Sequence, residues 1–302
     1  MVLSQPGQVL TVTDRRAAVL GSPIDHSLSP ALHLAAYRAL GLSSWSYGAH
    51  DVKEPALGRF VAGLGPQWAG LSLTMPLKEV AFEVADEVSD LAGEVGAINT
   101  LVRRANGGWR GDNTDVYGVS HALREAGGAQ VASAVVLGSG ATARSVVAAL
   151  AALGCQKVTF AVRSVARQET LDQAGRAGLE IDVAGLAQLA GALADARLVI
   201  STLPANALGD ALNAVELPQG SLPSDFLMLD VVYTNWPTPL VRRFQAAGAR
   251  AVSGLEMLVH QACEQVHLMT GLRPPVEAMR AAGQAALAGR AGSAGVSGQG
   301  LG

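Results

Sequence analysis

Cysteine is scarce. Cys155 and Cys263 are the only two in 302 residues, too few for a disulfide framework or a zinc cluster. Both are expected as small buried apolar residues in a reducing compartment. A basic surplus is also missing. The 22 Lys and Arg against 25 Asp and Glu leave a formal charge of −3, so nothing resembles a nucleic-acid footprint. Long apolar runs are absent as well. The longest, Ser145 to Leu153, falls well short of the ~18 residues that span a bilayer. Residues 1–14 lack an apolar core after a basic start, so no signal peptide and a cytoplasmic location are expected. With 49% hydrophobic and 16% charged residues, the chain is an ordinary globular one, long enough for about two domains.

The positive signals alternate between strands and helices. Ala17 to Gly21 reads as a buried strand, followed by Ser22-Pro23-Ile24-Asp25-His26-Ser27-Leu28-Ser29-Pro30. Ser29 before Pro30 marks a helix start, running to Leu40 with Gly41 as its stop. Two hydroxyls there, Ser27 and Ser29, suit an anion such as a carboxylate; they suit an ordinary cap equally well. Trp45 to Val52 reads as a strand and Pro55 to Leu64 as a helix. In Gly70-Leu71-Ser72-Leu73-Thr74-Met75-Pro76-Leu77-Lys78, alternation predicts a strand, and Pro76 predicts the first position of a helix reaching Ala85. Lys78 would then oppose the dipole in the first turn, a local mismatch that marks either function or a solvated lysine. Val95 to Val102 reads as a strand despite Asn99, and Asn106-Gly107-Gly108 as a hairpin turn. Asp115 opens a helix from Val116 to Ala126, where it favours the dipole whether or not it is catalytic.

A second unit begins at Ala134 to Leu137 and runs into Gly138-Ser139-Gly140-Ala141-Thr142-Ala143, which opens a helix to Leu153. A G-x-G-x-x-A turn between strand and helix suits a pyrophosphate; the plain alternative is a tight βα turn without a nucleotide. After the strand Lys157 to Val162, the place where an acid would hold an NAD ribose carries Arg163, Ser164 and Arg167. Guanidinium forks and a hydroxyl favour the 2′-phosphate of NADP. Helices are expected over 164–178 and 184–193, strands over 197–202 and 226–233, a helix from Pro239 to Ala247, a short strand at Ala251-Val252, a helix from Gly254 over 17 residues, and a last helix from Pro275 to Ala288. Residues 289–302 are expected as a disordered Gly/Ser/Ala tail. The alternation implies mainly parallel sheets with ligands at the carboxyl ends of strands.

Taken together, Ser27-Leu28-Ser29-Pro30, Thr74-Met75-Pro76-Leu77-Lys78, Asn99-Thr100, Gly111-Asp112-Asn113-Thr114-Asp115, the glycine turn, Asp230-Val231-Val232-Tyr233, Thr238-Pro239-Leu240, and Gly254 with Met257-Leu258 and Gln261-Ala262 resemble the shikimate dehydrogenase family over roughly residues 15–288. The resemblance implies an α/β chain of two domains. One is a substrate-binding and catalytic domain of residues 15–115 plus 254–288; the other is a Rossmann NADP-binding domain of residues 116–253. It implies reversible, NADPH-dependent reduction of 3-dehydroshikimate to shikimate in aromatic amino acid biosynthesis. It assigns acid–base chemistry to Lys78 and Asp115. Substrate contacts fall to Ser27, Ser29, Thr74, Asn99, Tyr233 and Gln261. Cofactor contacts fall to Gly138, Ser139, Gly140, Ala141, Thr142, Ala143, Arg163, Ser164, Arg167, Thr202 and Gly254. No metal is expected, nor a nucleic-acid or membrane partner, and the protein is expected as a monomer or homodimer. Three positions depart from the family pattern: Ser72 and Val162 stand where Asn is usual, and Thr202-Leu203-Pro204 replaces a more polar loop. Alternatives are an NAD-linked quinate/shikimate dehydrogenase, an aminoshikimate-type paralogue, and a non-catalytic NADP-binding sensor.

Overall fold

The computed structural model describes residues 14–128, 130–204, 207, 217 and 220–296. The strands of the described residues form two six-stranded sheets. The first is built from β1 (Arg15–Gly21), β2 (Trp45–Asp51), β3 (Trp68–Leu73), β4 (Glu87–Val88), β5 (Thr100–Arg103) and β6 (Trp109–Asp112), in the order β2-β1-β3-β5-β6-β4. β1 pairs parallel with β2 and β3, β5 pairs antiparallel with β3 and β6, and β4 runs parallel to β6. The expected Asn106-Gly107-Gly108 turn joins β5 to β6, with Gly107 at φ +89°.

This mixed topology decides where the site lies. β1, β3 and β6 all end at one edge of the sheet, and antiparallel β5 starts there. The segments after β1, β3 and β6 and the residues before β5 therefore converge on that edge. Ser72 pairs with Thr100, and Thr100 with Asp112. Asn99 sits just before β5 rather than inside it, its carbonyl accepting from Leu73 and its amide donating to Asp112.

The second sheet is entirely parallel. Its strands are β7 (Ser133–Leu137), β8 (Lys157–Val162), β9 (Glu180–Gly185), β10 (Leu198–Ser201), β11 (Leu227–Asp230) and β12 (Arg250–Ser253), in the order β12-β11-β10-β7-β8-β9. That is the dinucleotide-binding order, with its switch point between β7 and β10. β9 does not announce itself in the sequence. It is an edge strand, only partly buried, carrying Glu180 and Asp182, so it lacks the apolar run of a central strand. Part of it was expected as helix 184–193, which is reduced to a 3₁₀ turn (Leu186–Gln188) and the short α7 (Leu189–Ala192).

The helices in chain order are α1 (Ser29–Ala39), α2 (Leu57–Ala62), α3 (Asp90–Val95), α4 (Asp115–Glu125), α5 (Ala141–Ala152), α6 (Gln168–Arg176), α7, α8 (Pro239–Ala246), α9 (Gly254–Thr270) and α10 (Val276–Val296). α9 and α10 return to α1 on the first sheet. Leu255, Val259, Ala262 and Val266 share a core with Leu28, Leu32 and Tyr37. Each fully buried Leu or Val side chain among them contributes about 1.5–3 kcal/mol. α4 lies between the two halves, packed on α9 on one side and α5 on the other. α10 continues past Ala288 to Val296, into the stretch expected as a tail. Glycine outnumbers alanine there, Gly289, Gly292 and Gly295 against Ala291 and Ala294, so intrinsic propensity does not account for the extension. Residues 297–302 lie outside the described set.

The helix expected from Pro76 to Ala85 does not form. Residues 75–79 are turns, followed by a 3₁₀ turn (Val80–Glu83). Pro76 therefore lies in a turn and not at the first position of a helix. Carbonyls that a helix would use are taken by neighbouring segments: Met75 accepts from Ser22 and Lys78 accepts from Ile98. The expectation that a helix dipole acts on Lys78 therefore lacks its helix.

Candidate active site

Lys78 is held instead by a carboxylate. Its Nζ donates to Asp115 Oδ2 at 2.5 Å, with the two side chains 15% and 7% exposed. Asp115 is the first residue of α4. Asn113, two residues earlier, caps that helix: its Oδ1 accepts from the amides of Asp115 and Val116, and its Nδ2 donates to the Ala97 carbonyl. Asn99 Nδ2 donates to Asp115 Oδ1 at 2.8 Å and to Thr114 Oγ1 at 3.0 Å, while its Oδ1 accepts the Thr114 amide at 2.8 Å. Gln261 completes the group from α9. Its Oε1 lies 3.3 Å from Thr114 Oγ1 and 3.4 Å from Asn99 Nδ2. Gln261 reaches the others because α4 and α9 cross closely at Gly118, where a Cβ would lie 2.6 Å from the Met257 carbonyl oxygen and 2.9 Å from Gln261 Cβ. Four expected residues, Lys78, Asn99, Asp115 and Gln261, thus form one hydrogen-bonded cluster.

Ser27, Ser29 and Tyr233 gather a little apart from it. Ser27 Oγ accepts the Ser29 amide at 3.2 Å. The Tyr233 hydroxyl donates to the His26 carbonyl at 3.5 Å, and burial raises its pKa. Arg290 of α10 donates to the carbonyls of His26 and Ser27 at 2.7 and 3.0 Å, fastening the serine loop. A second chain of bonds runs beneath. The Tyr47 hydroxyl donates to Ser72 Oγ at 2.6 Å, Ser72 donates to Gln265 Oε1 at 2.7 Å, and Gln265 Nε2 donates to the Thr100 hydroxyl and the Asn99 carbonyl. His33 stacks on Tyr47 at 3.9 Å and donates through Nδ1 to the Ser29 carbonyl. Its burial lowers its pKa to about 4. Sequence reasoning missed Tyr47, Gln265 and Thr114 as contributors. Only Thr114 carried a signal, from its place in the Gly111–Asp115 segment. The departure at Ser72 is legible here: a hydroxyl accepts from Tyr47 and donates to Gln265 in one relay.

A cleft of about 630 Å³ opens between the sheets. Thr74, Lys78 and Glu79 line it from the first half; Gly138, Ser139, Gly140, Ala141, Thr142, Arg163, Ser164, Arg167 and Thr202 line it from the second. Gly138 has φ +96°, a conformation side chains resist. At Gly140, before the first turn of α5, a Cβ would meet nothing within 4 Å. That open space beside free helix amides suits a pyrophosphate. Ser139 Oγ accepts the Arg167 amide at 3.0 Å, tying the glycine turn to the arginine loop. The side chains of Arg163 and Arg167 supply two guanidinium groups with no acid in the ribose position, as a 2′-phosphate requires. The residues present fit NADP.

Two expected cofactor residues lie outside the cleft lining. Ala143 is fully buried, packing helix against strand. At Gly254 a Cβ would lie 2.1 Å from the Val231 carbonyl oxygen, so glycine is required there by the close approach of α9 to the end of β11. As for metals, ligand atoms of Glu125, Glu256 and His260 lie within 4.8 Å of one another. Arg280 already supplies the cation, donating to Glu256 and Glu125 at 2.7 Å each.

Three family descriptions match successive parts of the chain: shikimate dehydrogenase substrate binding domain over residues 19–101, shikimate/quinate 5-dehydrogenase over 120–231, and shikimate 5′-dehydrogenase C-terminal domain over 254–282. A shikimate dehydrogenase (NADP(+)) of Methanosarcina barkeri is 38% identical over 268 residues, covering 87% of this chain and 95% of that protein. The crystal structure of Mycobacterium tuberculosis shikimate dehydrogenase has a TM-score of 0.80 at 43% identity, covering 90% of this chain and 99% of the other. The Thermus thermophilus enzyme, solved in complex with NADP(H) and shikimate, has a TM-score of 0.78 at 34% identity, covering 90% and 100%. Sheet order, polar cluster and these likenesses agree, and the chain belongs to the shikimate dehydrogenase family.

Proposed function

We propose that this protein catalyses the reversible NADPH-dependent reduction of 3-dehydroshikimate to shikimate, within the route to aromatic amino acids. The observation that carries this reading is the Lys78–Asp115 pair at 2.5 Å, bonded into Asn99 and lying at the edge of a cleft whose far side fits NADP. When bound, NADPH supplies the hydride that reaches substrate C3. Lys78 gives its proton to the C3 oxygen in reduction and takes it back in oxidation, as a positioned general acid and base. Asp115 holds the Lys78 ammonium and accepts from a neighbouring substrate hydroxyl. Asn99, Thr74 and Gln261 orient the remaining hydroxyls, which fixes the reacting carbon. Ser27 and Ser29 receive the carboxylate at the N-terminal end of α1, and Tyr233 closes over it. Arg163, Ser164 and Arg167 take the 2′-phosphate, and Gly138 to Thr142 take the pyrophosphate.

The domain boundaries belong to the same proposal: residues 15–115 with 254–288 bind substrate, and 116–253 bind cofactor. So do a cytoplasmic location, a monomeric or homodimeric state and the lack of a nucleic-acid partner. Among the described residues no helix is long and apolar enough to cross a membrane. The test is nicotinamide absorbance during oxidation of shikimate and of quinate, each with NADP and with NAD. Rapid turnover with shikimate and NADP alone is expected. Turnover of quinate with NAD would assign the NAD-linked relative instead. Silence in all four, with NADP still bound, would overturn the catalytic reading.

A further inference from the structure

Arg144 takes no part in the chemistry above, yet it ties the glycine turn to the segments that carry Lys78 and Asn99. It lies in the first turn of α5, directly after the glycine turn, and is only 5% exposed. Its side chain leaves the cofactor half and crosses to the other. Nε donates to the Val95 carbonyl at 2.8 Å and Nη2 to the Gly96 carbonyl at 3.0 Å. These are the end carbonyls of α3, where a cation also complements the helix dipole. Ala97, Ile98 and Asn99 follow directly. Nη2 also donates to Glu79 Oε1 at 2.6 Å, and Glu79 is the residue after Lys78. The two contacted segments are joined to each other, since the Ile98 amide donates to the Lys78 carbonyl at 2.8 Å. The base of Arg144 is fixed too, its own carbonyl accepting from Gln173 Nε2 of α6 at 3.0 Å. Glu79 in turn lies 3.9 Å from Arg167, on the arginine loop of the cleft.

We propose that Arg144 is a positioning residue: through Glu79 and the end of α3, it holds the glycine turn in a fixed relation to Lys78 and Asn99. The proposal rests on the reaction above. Hydride transfer needs the two reactants aligned closely, and a misplacement of about 1 Å costs on the order of 100-fold in rate. A guanidinium fork bonds two carbonyls and a carboxylate at once; an ammonium in its place keeps the charge but not the fork. Arg144 therefore sets turnover at saturation rather than the affinity for either reactant.

Two variants test this, Arg144→Lys and Glu79→Gln, each checked for native folding by circular dichroism. Arg144→Lys is expected to lower kcat about 10- to 100-fold, with KM for shikimate and for NADP within about 3-fold of the parent. Glu79→Gln keeps a hydrogen bond and is expected to lose less. The double variant should be no worse than Arg144→Lys alone, because both act through one contact. A folded Arg144→Lys variant with parental kcat, or with its loss confined to KM, overturns the proposal. So does a loss that disappears on cooling well below the melting transition, which would mark a stability role alone. A second readout needs no turnover. Spin labels on the exposed positions Ser46→Cys and Asp172→Cys report the distance between the halves in cofactor-free protein, Cys155 and Cys263 being buried. A single narrow distance is expected in the parent and a broadened one with Arg144→Lys; identical distributions overturn the clasp. If the parent turns over no shikimate with NADP, the reaction reading fails, while the distance measurement still decides the clasp.

Discussion

The two faces of the cleft are built on opposite terms. On the side of the first sheet, Asn99, Asp115 and Gln261 are 2%, 5% and 6% exposed, and each is bonded to at least two neighbours. On the other side the Arg167 side chain is 58% exposed, and among the described residues Arg163 reaches the Ala207 carbonyl at 3.4 Å. Where a proton moves, the groups are set in advance and water is kept out, because reorganisation would add to the barrier. Where a phosphate is recognised, long flexible cations wait in solvent and pay their ordering only on binding. Substitutions on the two faces should therefore fail in different ways.

The largest failure is expected at Lys78. Lys78→Ala removes the proton donor and leaves Asp115 buried without its cation. A loss of about 10³-fold in kcat is expected, with KM for NADP unchanged. A variant that kept most of its turnover would mean the cluster only binds. Next comes the buried relay beneath the serine loop. His33 is fully buried, and its pKa falls from 6.5 to about 4 because burial disfavours the charged ring. Below pH 6.5 the unfolded chain takes up a proton that the folded one refuses. The contribution of His33 is thus complete above pH 6.5 and is lost as pH falls toward 4, amounting to about 3 kcal/mol. Denaturant unfolding at pH 7 and pH 4.5, for the parent and His33→Gln, should show the parent losing about 2–3 kcal/mol more than the variant. Parallel losses would refute the assignment, since carboxylates shared by both proteins would then explain the whole acid effect.

That contrast also explains what the sequence could reveal. Local rules found the glycine turn and the arginines after β8, because a strand, a turn and a helix are contiguous there. They found Lys78 for a faulty reason: the helix whose dipole it was to oppose is replaced by turns, since Met75 and Lys78 give their carbonyls to other segments. Its real partner lies 37 residues on. Tyr47, Ser72 and Gln265 meet across up to 193 residues, and no local pattern reports such a meeting. α3 was missed although Ser89 caps it and Gly96 ends it at φ +67°; Gly96 was absorbed into the expected strand Val95 to Val102, and Ser89 was assigned to no element. β9 was missed because an edge strand needs little apolar character.

A moderate effect is expected on the exposed face. Arg163→Ala and Arg167→Ala each remove one guanidinium from the 2′-phosphate position. Each should raise KM for NADP about 10-fold and the pair about 100-fold, with KM for NAD and kcat at saturation nearly unchanged. Added salt should shrink the difference, because solvent-exposed charges are screened. Equal loss with NAD and NADP would place these arginines elsewhere than at the phosphate.

The smallest effect separates exposed from buried charge most sharply. On β8, Lys157 Nζ lies 2.7 Å from both Glu180 and Asp182 of β9, and Asp182 foremost, then Glu180, raises its pKa strongly. Taken alone, that shift would suggest a strong edge-strand clamp. Yet the three side chains are 38–67% exposed, so water and salt screen the attraction and the long lysine must be ordered to make it. Lys157→Met should move the thermal midpoint by less than about 2 °C and leave kcat and both KM values alone. A drop of several degrees would mean that β9 is held to the sheet by charge, and that exposure is a poor guide to the worth of an ion pair in this half of the molecule.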